Sequence, residues 1–197
     1  MIVHNKSDLN HLNLGESNFS GGIESEESIK FTHSSLQNVN FANAILKENF
    51  FQYSIFYNVD FHKAEMSHAD FSFSKFDYCN LIDADLTSSN FCEAKFIRTP
   101  LMNANLSNAN LMGVNLSEVL SYQKEFLPKL QGAYYNSQVF TYRPLKISDK
   151  FFHKNKEKTK VFSLFLNCIS REFITPPTKF PSGFDPEAHG MIDISKW

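Results

Sequence analysis

The chain has 197 residues, a formal net charge of −2 and 42% hydrophobic residues, which fits one domain with enough apolar side chains for a core. Its longest apolar stretch, residues 161–169, is too short to cross a bilayer, and no apolar run of a secretory signal opens the chain. Three cysteines without metal-site spacing fit a reducing compartment, so we expect a cytoplasmic protein.

The first predicted element is a short series in which a large apolar residue returns every five residues, at Leu9, Leu14 and Phe19. The next member, Phe31, follows after twelve residues rather than ten, so the frame slips by two. Residues 20–28 hold two glycines and several charges, which indicates a loop. We therefore predict a partial first coil and frame-shift loop over residues 4–28.

From residue 31 to 116 the five-residue period continues without a miss. Its central residues are Phe31, Leu36, Phe41, Leu46, Phe51, Phe56, Phe61, Met66, Phe71, Phe76, Leu81, Leu86, Phe91, Phe96, Leu101, Leu106, Leu111 and Leu116. A period of five fits neither a helix nor a strand, and it identifies an internal repeat. The residue two before each centre is nearly always small and the residue between is mostly polar, which predicts one short extended wall in each pentad.

The repeat also predicts four walls in each turn of the chain. When the small positions are sorted by every fourth pentad, one set is Ala44, Ala64, Ala84 and Ala104. The centres sort in the same way, because phenylalanines recur every twenty residues. Stacked four-walled coils produce such columns, since each residue lies one strand spacing, about 4.8 Å, from its equivalent.

Three runs of sequence carry a resemblance to a known family: AlaAspLeu at 84–86 and AlaAsnLeu at 104–106 and 109–111. They resemble the A(D/N)LXX consensus of the pentapeptide-repeat family. The resemblance implies an all-β solenoid, a right-handed quadrilateral β-helix, over residues 29–117. Asn49, Phe50, Ile55 and Pro100 depart from the consensus.

Residues 118–197 are predicted to form a C-terminal cap with short helical segments. Residues 117–130 suggest a short helix or irregular lid that ends near Pro128. The segments 132–137 and 178–192 resemble the closing segment of cyanobacterial members of the family, where the two pieces are nearly contiguous. Here residues 138–177 lie between them as an insertion of unassigned role.

The insertion contains a basic segment followed by an amphipathic one. The lysines of the basic segment are Lys150, Lys154, Lys156, Lys158 and Lys160. In residues 161–174 the side chains of one helical face are Phe162, Phe165, Leu166, Ile169 and Phe173. Binding of nucleic acid or of an anionic membrane surface is one interpretation. The favoured interpretation is a solvated linker before a helix that docks on the body.

No motif of catalysis or of phosphate binding is present in the sequence. His62 and His68 fall on adjacent walls without a third ligand, so we predict no metal, no cofactor and no catalytic residue. The acids of the repeat spread over all four walls and are interpreted as a solvated surface; they are Asp60, Glu65, Asp70, Asp77, Asp83 and Asp85. Cys79 is predicted to point inward and Cys92 outward.

One group of apolar residues occupies outward or corner positions on two neighbouring walls. It consists of Phe50, Tyr53, Ile55, Tyr57, Phe73 and Tyr78. An aromatic patch on a polar solenoid is typical of a protein-contact surface, although the chain's own tail is an alternative cover.

These observations favour a non-enzymatic scaffold that presents flat solenoid walls to a protein partner. The resemblance supplies an alternative, because some pentapeptide-repeat proteins mimic a DNA duplex and bind type II topoisomerase. That function needs acids in a row along the rod, and here the acids are dispersed while the tail is basic. Weak end-to-end stacking of two rods is also allowed if the tail leaves the last coil open.

Overall fold

The computed structural model describes residues 13–15, 29–121, 127–135, 140–142 and 173–196. Its largest sheet consists of five short parallel strands, each paired with the next: β1 Asn13–Gly15, β2 Ser35–Gln37, β3 Ile55–Tyr57, β4 Lys75–Asp77 and β5 Lys95–Ile97. The register places Leu36 beside Phe56, and Phe56 beside Phe76, so one coil takes twenty residues. Leu14 pairs with Leu36, so the step between these two strands is two residues longer than the twenty of the later coils.

The other three walls are built from single parallel bridges with the same spacing. Ile45 pairs with Glu65, Glu65 with Asp85, and Asp85 with Asn105, so the buried alanines that precede these residues form one vertical column. We number the walls by their central residues. Wall 1 has Phe31, Phe51, Phe71, Phe91 and Leu111; wall 2 has Leu36, Phe56, Phe76, Phe96 and Leu116; wall 3 has Phe41, Phe61, Leu81 and Leu101; wall 4 has Leu46, Met66, Leu86 and Leu106. The protein is a quadrilateral β-helix, as the repeat predicts.

Each corner is turned by the residue two positions after a centre. At sixteen consecutive corners this residue is not glycine, yet its φ lies between 47° and 61°. Only the residue at the seventeenth corner, Gly113, is a glycine, whose lack of a Cβ suits this backbone region. The left-handed conformation costs other residues about 1–2 kcal/mol each, so packing inside the coil has to offset it.

Stacked phenylalanine rings fill the interior. On wall 1 the ring centroids of Phe51 and Phe71 lie 4.8 Å apart and those of Phe71 and Phe91 5.1 Å apart, with nearly parallel planes. Phe56 of wall 2 stacks on Phe76 at 4.8 Å and meets Phe51 edge-on at 5.8 Å. Each such pair contributes about 0.5–1.5 kcal/mol beyond the burial of its area. The coil therefore has a solid aromatic core.

The aspartates that precede the centres, Asp60, Asp70 and Asp85, are structural groups, which corrects the prediction of a solvated surface for these three acids. Glu65 and Asp83 are exposed, as predicted. Oδ1 of Asp60 accepts a hydrogen bond from the His62 N–H at 2.9 Å, and Oδ1 of Asp70 accepts one from the Ser72 N–H at 2.9 Å. Asp85 does the same for the backbone two residues on. Asp70 is only 6% exposed. Each of these carboxylates stabilises the turn that follows it.

Cys92 is buried, at 1% exposure, whereas its register predicts an outward thiol. Ser72 and Met112, its equivalents in the neighbouring coils of wall 1, are also buried. The corresponding His62 and Ile82 of wall 3 are half-buried. The outer side of wall 1 is therefore covered at these coils, so an outward register position there does not make a side chain accessible.

The tail adds a further coil above the repeats. Helix α1, Ser117–Ser121, is shorter than the helix or lid predicted over 117–130, because residues 127–135 return to the wall pattern instead. Lys129 bridges to Asn105 and Lys179 bridges to Asn115. Strand β6, Tyr134–Tyr135, lies between Asn110 and strand β9, Ile192–Asp193, to which it is parallel. The terminal coil is thus closed by the described parts of the tail.

The inserted region contributes an antiparallel pair, β7 Phe140–Tyr142 with β8 Phe173–Thr175. Phe173 pairs with Tyr142 in this ladder, so it lies in a strand and not on the predicted helical face. The backbone of Phe173 pairs with β7, and a residue in such a ladder cannot also be helical. The other residues of that face, Phe162, Phe165, Leu166 and Ile169, lie outside the described residues. Two 3₁₀ turns, Glu187–His189 and Ile194–Lys196, complete the C-terminal part. No helix among the described residues has the length and apolarity that a membrane crossing needs.

Candidate protein-contact site

Four large apolar side chains are about half exposed in the described part of the chain. They are Tyr53 at 47%, Ile55 at 49%, Tyr57 at 45% and Tyr78 at 48%. All four lie on wall 2 or at its two corners, within two successive coils. A cluster of exposed aromatic and branched side chains on one flat wall is typical of a contact surface.

The strand geometry explains why three of them point to solvent. In β3 the side chain of Phe56 points into the core, so its neighbours Ile55 and Tyr57 point outward from the same wall. Tyr78 occupies the corner after β4 with φ of 57°, where its side chain leaves the wall. The five-residue repeat itself therefore projects these side chains.

Tyr57 and Tyr78 form one cluster with Arg98. The two tyrosine rings meet edge-on with centroids 5.9 Å apart. The Arg98 guanidinium carbon lies 3.9 Å from the centroid of the Tyr78 ring, and Nη1 of Arg98 donates a hydrogen bond to the Tyr78 hydroxyl at 2.7 Å. This arrangement ties one side of the ring to a cation and fixes the orientation of the exposed aromatic edge.

Asp77 holds two cations against the wall. Nη2 of Arg98 donates to Oδ1 of Asp77 at 2.8 Å, and Nζ of Lys75 donates to Oδ2 at 3.1 Å. Desolvation raises the pKa of Asp77, but the hydrogen bonds and charges of Lys75 and Arg98 outweigh it, so this pKa lies below its ordinary value. The hydrogen bond to Asp77 in turn raises the pKa of Arg98.

The predicted patch divides into separate parts. Tyr53 and Phe73 stack at 4.9 Å along the corner between walls 1 and 2, and His33 continues this stack at 4.9 Å from Tyr53. Phe73 is half-buried. Phe50 is also half-buried and lies on wall 1, in the strand position before Phe51, away from the corner that carries Tyr53. Ile55, Tyr57 and Tyr78 form the exposed part on wall 2.

Sequence reasoning missed the cations that accompany this part. Lys75 and Lys95 occupy the position of Ile55 in the next two coils, and Arg98 occupies the position of Tyr78 in the next coil. Sorting the outward positions by every twenty residues, as was done for the inward ones, reveals these neighbours. Lys95 and Arg98 are exposed and Lys75 is half-buried.

Other candidate residues of the sequence do not add to this site. His62 and His68 lie on different walls, and Nδ1 of His62 is 3.1 Å from the carbonyl oxygen of Ile82. The described residues hold no group of three or more metal-ligating side chains. The basic segment, with Lys150, Lys154, Lys156, Lys158 and Lys160, lies outside the described residues.

Comparison of the chain with protein families gives one match. The family described as Pentapeptide repeats matches with 8 copies, over residues 28–62, 64–99 and 79–117. No curated protein matches the chain.

Several solved structures resemble the chain. HetL, a pentapeptide repeat protein involved in heterocyst differentiation regulation in Nostoc sp. strain PCC 7120, is 17% identical, with 68% of each chain covered and a TM-score of 0.39. Rfr23 of Cyanothece 51142 is 25% identical, with 57% of this chain and 78% of that chain covered and a TM-score of 0.25. A pentapeptide repeat protein of the Arabidopsis thaliana thylakoid lumen is 26% identical, with 52% and 67% covered and a TM-score of 0.31. With TM-scores below 0.5, these likenesses assign no function to this chain.

Proposed function

We propose that the protein, whose residues 28–62 and 64–117 match the pentapeptide-repeat family, is a non-enzymatic scaffold that binds a protein partner. The contact surface of this proposal is wall 2 with its corners. The observation that carries it is the concentration of the large exposed apolar side chains, Tyr53, Ile55, Tyr57 and Tyr78, in two successive coils on that wall.

The rigidity of the wall supports this proposal. The backbone of wall 2 is hydrogen-bonded on both sides in β2, β3 and β4, and stacked rings pack directly beneath it. Binding therefore orders few groups on this side of the interface. A low ordering cost leaves more of the contact energy as affinity.

The filled interior supports a scaffold rather than an enzyme. Inward side chains of all four walls are buried, and the phenylalanine columns are in direct contact. Active sites generally need a concave pocket that holds a substrate away from water, and the packed interior of the coil offers none.

The alternative of a DNA-mimicking topoisomerase binder has less support. A mimic needs carboxylates free along the rod to copy the spacing of phosphates. Here Asp60, Asp70 and Asp85 are engaged in hydrogen bonds to the backbone, and Asp77 is paired with two cations. Of the other carboxylates in the repeats, Glu48 and Glu65 share wall 4, where Glu65 pairs with Lys47, whereas Asp83 lies on wall 3 and Glu93 on wall 1.

Site-specific photo-crosslinking tests the scaffold proposal. A photoreactive phenylalanine analogue replaces Tyr57 on wall 2 in one variant and His68, which is exposed on wall 4, in the matched control. We expect irradiation in cells to produce a defined protein adduct from position 57 only. Equal adducts from both positions, or none from position 57 while the variant melts like the parent protein, would contradict the proposal.

A further inference from the structure

We infer that wall 2 recognises an acidic protein segment, through a surface that we call the basic–aromatic face: Ile55, Tyr57, Lys75, Tyr78, Lys95 and Arg98. This inference rests on the proposed scaffold function and adds the chemistry of the partner. Its basis is the distribution of charge among the four walls, the neutralisation of the one acid on wall 2, and the orientation of the tyrosines.

Wall 2 is the one wall of the repeats, over residues 29–116, with more bases than acids. It carries Lys75, Lys95 and Arg98 against Asp77. The other walls have the opposite balance: Lys30 against Asp70 and Glu93 on wall 1, Lys63 against Asp60 and Asp83 on wall 3, and Lys47 against Glu48, Glu65 and Asp85 on wall 4. An acidic partner is therefore attracted to wall 2 and repelled by the rest of the rod.

The acid of wall 2 offsets only part of this attraction, because three cations lie on the wall against one carboxylate. The side chain of Asp77 is 11% exposed, and both of its carboxylate oxygens accept hydrogen bonds from cations of the same wall. It holds Arg98 and Lys75 against the wall, and their side chains remain 51% and 41% exposed. A partner carboxylate thus meets cations that are already ordered, which lowers the cost of binding.

Among the described residues, Lys95 is a cation without a partner carboxylate. It is exposed, and its backbone pairs with Lys75 in the ladder between β4 and β5. Among the described acids, none forms an ion pair with it. The backbones of the two lysines therefore lie one strand spacing apart, about 4.8 Å, and Lys95 adds a positive charge beside the ion pair of Lys75 with Asp77.

The aromatic residues favour a protein segment over a nucleic acid. Binding of single strands depends on bases that stack on open aromatic faces. Arg98 covers one face of Tyr78 at 3.9 Å, and the Tyr57 ring meets Tyr78 edge-on at 5.9 Å. The exposed parts of these rings, together with Ile55, fit apolar side chains that are interspersed among acids.

A peptide-display selection tests the chemistry of the partner directly. Random peptides are selected on the full-length protein and, in parallel, on a Tyr57→Ser, Lys95→Glu double variant. We expect the peptides enriched only on the parent protein to combine Asp and Glu with apolar residues. Peptides that are enriched only on the parent protein but are neutral or basic would overturn the acidic partner and leave the scaffold proposal standing. If the double substitution prevents the enrichment of no peptide, both the acidic partner and the scaffold proposal are overturned.

Affinity measurements with a selected peptide separate the charge from the fold. Lys95→Glu should weaken binding by about threefold to tenfold, and the loss should shrink at high salt. Lys63→Glu is the matched control, because Lys63 is an exposed corner lysine on wall 3 and its replacement changes the net charge equally. Equal losses in both variants would show a nonspecific charge effect and overturn the inference.

Three further probes distinguish other occupants of the same face. They are an oligothymidylate, vesicles with and without phosphatidylserine, and the protein itself in analytical ultracentrifugation. If the oligothymidylate or the vesicles bind at all, we expect Lys95→Glu to leave that binding intact. If the protein associates with itself, we expect Tyr57→Ser to leave that association intact. A positive result for any one of them would overturn the assignment of an acidic protein segment.

Discussion

Arg98 and Asp77 join two coils of wall 2: Nη2 of Arg98 lies 2.8 Å from Oδ1 of Asp77, which belongs to the coil before it. Arg98 also packs over Tyr78, the residue after Asp77, at 3.9 Å. One guanidinium thus fixes both the acid and the aromatic residue of the neighbouring coil. The exposed surface of wall 2 is thereby tied to the stability of the coil beneath it.

Stability should depend on the ionisation of Asp77. Because the folded-state pKa of Asp77 lies below its ordinary value, its contribution is fully present above that ordinary value, about 3.9. The contribution is lost as the pH falls further, through the lowered folded-state pKa. We expect Asp77→Asn to be less stable than the parent protein at neutral pH and the difference to narrow in acid. Urea unfolding at a series of pH values measures it, and a constant difference down to the acid end would contradict this role.

Removal of one central ring should destabilise the coils on both sides of it. Phe71 is buried and stacks on Phe51 at 4.8 Å and on Phe91 at 5.1 Å. Phe71→Ala should lower the free energy of unfolding by about 3–5 kcal/mol, whereas Phe71→Leu, which fills most of the volume but loses both ring stacks, should cost about 1–3 kcal/mol. Chemical denaturation of the two variants checks the difference. Equal small losses would mean that the core repacks around the gap.

The architecture could be predicted from the inward residues because each coil repeats the same packing problem. A small residue and a large centre must recur in every pentad if the interior is to stay filled, so Ala44, Ala64 and Ala84 reveal the register directly. The predicted four walls and twenty-residue coil are confirmed by the pairing of Phe56 with Phe76.

The outward residues were harder to predict, since their environment depends on what lies against each wall. Cys92 has the same register position as His62, yet one is buried and the other half-buried. Phe173 fits a helical face but lies in a strand. The strand could not be predicted from the local sequence, because its ladder partner Tyr142 is distant in the chain. The candidate site combines both situations: Tyr57 follows from the repeat, whereas the contact of Arg98 with Tyr78 requires the stacking of coils.

The buried polar ladder of wall 1 should contribute measurably to stability. Asn90 donates to Oδ1 of Asp70 at 3.2 Å, and its Oδ1 accepts from Asn110 at 2.9 Å and from the Cys92 N–H at 3.1 Å. Asn90→Ala removes these bonds and leaves buried groups without them, so we expect a loss of about 2 kcal/mol. Asn40→Ala on wall 3 is the matched control. Oδ1 of Asn40 accepts from the Ala42 N–H, so a loss of about 1 kcal/mol or less is expected. Thermal and urea unfolding compare the two, and equal losses would argue against the ladder.

The left-handed corners predict a substitution that stabilises the protein. Lys63 has φ of 56° and an exposed side chain, so Lys63→Gly relieves an unfavourable backbone conformation without removing a buried contact. We expect a gain of about 0.5–1 kcal/mol, reduced from the full conformational cost because glycine gains freedom in the unfolded chain. Lys63→Ala serves as the control for the loss of the side chain and should be nearly neutral.

The reverse change, Gly183→Ala, should destabilise the protein by about 1 kcal/mol, because the φ of Gly183 is +80°. No atom lies within 4 Å of the added Cβ, so this loss would report the backbone conformation and not a clash. Calorimetric melting of the three variants decides the matter: a Lys63→Gly protein that melts below Lys63→Ala would mean that the corner carries no conformational strain.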